Sequence, residues 1–118
     1  MKTFLAVYIG TPESMQKSQW NALSDAERKQ REQAGIKAWH EWMTKHQAAV
    51  AVTGGPLGKT KSVSKTGITD IKNEMTGFVV VRAESHEAAA RMFEGHPHFT
   101  IFPGESVEIM ECLPIPGQ

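Results

Sequence analysis

Two imidazoles separated by one rigid residue, His96-Pro97-His98, are the most suggestive chemical feature of the chain. Histidine titrates near neutral pH and can serve as acid, base or metal ligand. An alternating histidine pair can hold part of a metal site, but a zinc centre needs a third ligand, and no residue at zinc-motif spacing supplies one. Nucleotide and flavin motifs are missing too, so the sequence implies no cofactor and no metal. The same tripeptide also suits a solvent-facing turn in which Pro97 simply stops a helix.

Other candidates are scattered. His40 lies about 100° around a helix from Trp39, flanking that helix's apolar stripe. From there it could reach the late histidine loop, or stand partly in solvent. Trp39 and Trp42 could line a pocket for a flat ligand, although tryptophans at helical spacing equally suit a core. Tyr8, the only tyrosine, sits on an apolar strand, and its hydroxyl needs a partner if buried. Asp70 and Glu74 could orient a histidine or act as a base, or be solvated loop carboxylates. His46 falls on the apolar stripe at a helix end, which reads as structural, and His86 has no evident partner. Gly54–Thr60 (GGPLGKT) lacks the first glycine of a phosphate loop, because that position is Thr53, and a strand rather than a helix follows. Cys112 has no basic neighbour to lower its pKa and is no nucleophile.

These residues are placed by a short series of elements. Thr3–Ile9 reads as a buried strand ending at Gly10-Thr11-Pro12, where a hydroxyl, a proline and Glu13 start a short helix to about Asn21, with Trp20 and Leu23 inward. Ser24 and Glu27 form a capping box for a long helix to about His46, whose stripe is Ile36, Trp39, Met43 and His46 with Trp42 beside it. Gly35 reads as a point where this helix bends. Ala48–Thr53 reads as a second strand closed by Gly54-Gly55-Pro56. An insert over residues 58–76 contains a ragged hairpin turning at Thr66-Gly67. Phe78–Ala83 is the best strand in the chain and is expected to be central. Ser85 caps a helix over His86–Glu94, with Ala89, Met92 and Phe93 toward the sheet and Gly95 at its end. Glu105–Leu113 is the last strand.

Length and composition bound the outcome. With 118 residues the chain fits one domain, residues 1–118, and its 40% hydrophobic and 22% charged content is that of a globular protein. Thirteen basic and thirteen acidic residues cancel, so there is no field to draw nucleic acid. One cysteine permits no internal disulfide and suits a reducing compartment. The apolar run Phe4–Ile9 is too short for a signal peptide or a spanning helix, so a soluble, cytoplasmic chain with no membrane association is expected.

Strand, helix, strand, insert, strand, helix, strand is the split βαβ pattern: an α+β, ferredoxin-like βαββαβ sandwich with helices on one face. The other face must then carry apolar side chains, for which Phe4, Tyr8, Val79 and Val81 are candidates. An exposed apolar sheet face calls for a partner, and two such sheets face to face give a homodimer of the α/β-barrel type.

The chain resembles the YCII-related family, including its DGPF branch, over nearly its whole length and best from Lys72 to Cys112. Lys72-Asn73-Glu74-Met75-Thr76-Gly77-Phe78 is similar to that family's approach to its third strand, and Glu84–Ala90 to its short second helix. His96-Pro97 is similar to the loop that follows, Gly104–Ile109 to the last strand, and Gly54-Gly55-Pro56-Leu57 to the turn after the second strand. The resemblance implies a dimeric α/β barrel, with dehydrochlorinases among its relatives. The family's proposed catalytic pair, a histidine in the first helix and an aspartate before the proline of the late loop, falls on Ala38 and His96. The Asp-Gly-Pro-Phe signature falls near Lys65-Thr66-Gly67-Ile68 and is absent.

Two functions follow. One is a small dimeric enzyme doing lyase- or isomerase-like acid/base chemistry on a small, perhaps aromatic, substrate. His98, His96 and His40 would be its acid/base candidates, with Tyr8, Trp39 and Asp70 lining the pocket. The other is a non-catalytic dimeric protein that binds a small molecule and has lost the family's histidine and aspartate.

Overall fold

In a computed structural model, which describes residues 1–117, the chain runs β1 (Lys2–Ile9), α1 (Pro12–Ser18), α2 (Asp25–Lys45) and β2 (Val50–Pro56). It continues through β3 (Thr60–Ser64), β4 (Gly67–Ile71), β5 (Met75–Ala83), α3 (His86–Arg91), α4 (Pro97–Thr100) and β6 (Ser106–Glu111). The main sheet has the order β2-β5-β1-β6 with every neighbouring pair antiparallel, so the expected α+β sheet and its central Phe78–Ala83 strand are both present. No helix among the described residues is long and apolar enough to cross a membrane.

Sheet and helices meet through Phe4, Ala6 and Tyr8 of β1 and Val79, Val81 and Ala83 of β5, which pack against Trp42 of α2 and against Ala89 and Phe93. This corrects the sequence-based assignment of faces. Phe4, Tyr8, Val79 and Val81 lie under the helices, and the opposite face carries Leu5, Val7 and Ile9. Across the strands Leu5 stands opposite Val80 and Met110, and Val7 opposite Phe78 and Glu108. Val7 and Ile9 are buried, whereas Met110 at the sheet edge is 42% exposed. An apolar outer face exists, then, with the other parity.

The Ser24 hydroxyl accepts from the Glu27 N–H at 3.2 Å, and the Glu27 carboxylate accepts from the Ser24 N–H at 3.0 Å, so the capping box of α2 forms as expected. Its buried stripe is turned slightly from the expected one. Gly35 and Trp42 are buried, Trp39, Met43 and His46 half-buried, and Ile36 exposed. The Trp42 indole N–H donates to the Met92 carbonyl at 2.8 Å, tying α2 to the end of α3. The first helix stops early because Gln19 takes a left-handed conformation (φ 58°), and a single 3-10 turn then buries Trp20.

Gly54 and Gly55 do not close β2 but lie within it. Gly54 (φ 62°) sits so close to the Phe78 backbone carbonyl that a Cβ would collide with it, which explains the irregular β2–β5 register. The insert is more regular than expected. Five consecutive pairs join β3 to β4 about the turn Lys65-Thr66, in a sheet separate from the main one. This arm and the two-layer build give extents of 55 × 42 × 19 Å and a radius of gyration of 16.3 Å, above the ~13.5 Å of a compact chain of this length.

Candidate functional site

The site grows from the junction of β1 with the late loop. Gly95 (φ 68°) ends the helical segment that Ser85 caps, and the chain turns into His96-Pro97-His98. This tripeptide is not the solvent-facing turn that the sequence also allowed, since both histidines are buried. His96 caps the short helix α4, its Nδ1 accepting the His98 N–H at 3.0 Å, with Pro97 at the first helical position.

That turn drives both imidazoles inward. His96 is wholly buried among the rings of Tyr8, Trp39, Trp42 and Phe93, with centroids 4.6 to 5.7 Å away. Its Nε2 lies 3.4 Å from Tyr8 Oη. Burial, helped by the nearby His98 and His46, pushes its pKa down to about 4, so the ring is neutral at physiological pH. His98 is 7% exposed, and its Nε2–H donates to the Ile9 carbonyl at 2.8 Å. Burial lowers its pKa too, against the opposing pull of hydrogen bonding to the Ile9 and Ser106 backbone. Tyr8 is buried, and desolvation holds its phenol well above the ordinary tyrosine range. Gly104 lies against the His98 ring and carbonyl so closely that no Cβ would fit.

Beside these groups a cleft of about 460 Å³ opens between α2 and the sheet. Tyr8, Trp39 and Phe102 give it aromatic walls, and Ile36 and Met43 add aliphatic surface. Gly55 and Pro56 of β2 form the opposite side. Polar side chains among its lining residues are Tyr8, His40, His98, Thr53 and Thr76, and no carboxylate lines it. A second cleft, of about 430 Å³, adjoins it across Thr76, His98 and Phe102.

Tyr8, Trp39, His40 and His98 are therefore brought together at one cleft, with His96 behind Tyr8 rather than in the wall. Asp70 is not there. It lies on the arm, paired with Lys61 at 2.7 Å and exposed. His86, expected to be without a partner, meets the Ile109 carbonyl at 2.7 Å and stacks on Phe4, which fastens α3 to β6. His46 packs on Trp42 at the end of α2, and burial lowers its pKa. Among the described residues no three histidine, cysteine, aspartate or glutamate side chains cluster as metal ligands would.

Phe102 escaped the sequence reading. The one sequence feature tied to it is Gly35, whose missing side chain makes room on α2 for the Phe102 ring. Thr53 and Thr76 left no comparable signal.

No family model matches the chain, and no curated protein matches it by sequence. Among solved structures it is similar to 5-chloro-2-hydroxyhydroquinone dehydrochlorinase from Burkholderia phenoliruptrix AC1100, determined in complex with 2,5-dihydroxybenzoquinone. The TM-score is 0.52 at 17% identity, over 92% of this chain and 90% of that one. At that identity the likeness is one of fold: helices packed on an antiparallel four-stranded sheet.

Proposed function

We propose that this chain is a YCII-related protein whose cleft holds a small, flat, aromatic molecule, with His98 as the acid/base group of lyase- or isomerase-like chemistry. The observation that carries this reading is a histidine ring in the wall of an aromatic-lined cleft, held by the Ile9 carbonyl. With Nε2–H donated to that carbonyl, the neutral ring carries its lone pair on Nδ1, and burial keeps it in the neutral form that a general base requires. A volume of about 460 Å³ is in the range of small-ligand sites. His40 stands as a second proton-transfer group. The dehydrochlorinase of similar fold, whose name and ligand are those of a hydroxylated six-membered ring, supports the substrate class.

The same reading includes a second copy over the outer face of the sheet, completing a dimeric α/β barrel. Its support is the apolar row Leu5, Val7, Ile9, Phe78 and Val80 on one side of a slab only 19 Å thick. A non-catalytic ligand-binding protein is the second reading, favoured by the absence of any carboxylate among the cleft residues to orient a histidine.

A thermal-shift screen with small aromatic acids and lactones, on wild type and His98→Ala, tests the site. NMR of each hit over hours then separates turnover from binding. A ligand that stabilises wild type, loses that effect in His98→Ala and is chemically converted is the expected result. Stabilisation indifferent to the substitution removes His98 from the site, and binding without conversion selects the second reading.

A further inference from the structure

Among the described residues Tyr8 Oη has one protein partner, Nε2 of His96 at 3.4 Å. The direction of that contact is decided on the far side of the ring. The backbone N–H of His98 can only donate, so His96 Nδ1, 3.0 Å away, accepts. A neutral imidazole with an accepting Nδ1 carries its proton on Nε2. His96 therefore donates to Tyr8, and the phenolic proton must point elsewhere. Tyr8 is only 4% exposed, and the cavity its side chain borders is the aromatic cleft. A buried donor without a protein acceptor calls for one from outside the chain.

We infer, on the footing of the aromatic-ligand cleft proposed above, that Tyr8 donates its hydroxyl proton to a carbonyl oxygen on the bound ring, and that His96 is the positioning residue that fixes this polarity. Neither group changes protonation near neutral pH, because burial keeps the phenol protonated and the imidazole neutral. The donor is thus permanent, and a ring without an acceptor oxygen leaves it unpaired. His96 touches no ligand in this arrangement, which separates it from the acid/base role of His98.

The test uses two probes of nearly equal shape: acetophenone, and α-methylstyrene, in which a methylene replaces the carbonyl oxygen. Titrations followed in amide NMR spectra are expected to show acetophenone binding about fivefold more tightly to wild type, the size of one ordinary hydrogen bond. Tyr8→Phe is expected to bind both equally. His96→Asn keeps an oxygen able to accept the His98 N–H but cannot reach Tyr8, and it is expected to lose most of the preference. Long-range proton–nitrogen spectra of wild type should show His96 protonated at Nε2. Equal affinity for the two probes in wild type, or an Nδ1–H form of His96, overturns the inference and leaves the cleft reading intact. Binding of neither probe overturns both. Should Tyr8→Phe fail to fold, the wild-type probe pair and the His96 tautomer still decide.

Discussion

Phe102 packs against Gly35 so closely that a Cβ on that helix position would meet three carbons of the ring. The glycine is buried in mid-helix, where alanine would ordinarily be preferred by about 1 kcal/mol. Overpacking in a filled space costs about 1–3 kcal/mol. The gain offsets only part of the cost, so Gly35→Ala should destabilise by about 0–2 kcal/mol. The displaced ring, however, belongs to the cleft wall, and aromatic-ligand binding should weaken several-fold. Chemical denaturation together with a ligand titration checks this. A variant that binds as wild type does would show that Phe102 does not shape the site.

Gly104 makes the sharper case. Its hypothetical Cβ meets the His98 ring and also the His98 carbonyl, which belongs to backbone and cannot swing aside. Gly104→Ala should destabilise by about 1–3 kcal/mol and displace the imidazole from the Ile9 carbonyl. Histidine proton–nitrogen spectra would report that loss. A stable variant with unchanged His98 resonances contradicts the packing described.

The histidines set a pH dependence. His96 is neutral in the fold down to about pH 4, whereas in the unfolded chain it protonates near the ordinary histidine value of 6.5. Below pH 6.5 the unfolded state therefore binds more protons, and stability falls as pH falls. The contribution is fully present above about pH 6.5 and lost by about pH 4, a swing of about 3 kcal/mol for this ring. His98 and His46, also lowered, add in the same direction. Urea unfolding between pH 7.5 and 4.5 measures it, and His96→Asn should flatten the curve. A wild-type curve that stays level over that interval would mean His96 is not buried neutral.

The outer sheet face predicts association. Sedimentation at micromolar concentration should give a dimer. Met110→Glu, placing a second acid near Glu108 on that face, should weaken it at least tenfold while leaving the helical circular dichroism unchanged. A wild-type monomer would refute the paired-sheet arrangement.

How much of this was legible depended on period. Strand and helix existence was readable because capping boxes, glycine stops and apolar runs are local. The face of β1 was not. Phe4 to Ile9 is apolar at every position, so alternation left no mark, and only the docking of Trp42 and Phe93 decides which side is inner. His96-Pro97-His98 carried a helix-start signature, a side-chain acceptor followed by proline, but four helical residues are too few to announce themselves. Its burial depended on Tyr8, 88 residues away in sequence, and no local pattern encodes that meeting. Asp70 misled for the converse reason. A carboxylate before a central strand looks well placed until the arm carries it off into solvent, where its pair with Lys61 contributes little.

The arm itself bonds through its strands to nothing but itself. Val63 and Ile68 face each other across it at 76% and 69% exposure, so little hydrophobic burial holds them. A two-stranded ribbon of that kind is marginal in water, and its amides should exchange long before those of β1. The molecule thus divides into a slow-opening platform and a fast-opening appendage joined at a stem. Insertion, shortening or replacement of the appendage is thereby uncoupled from the chemistry of the platform.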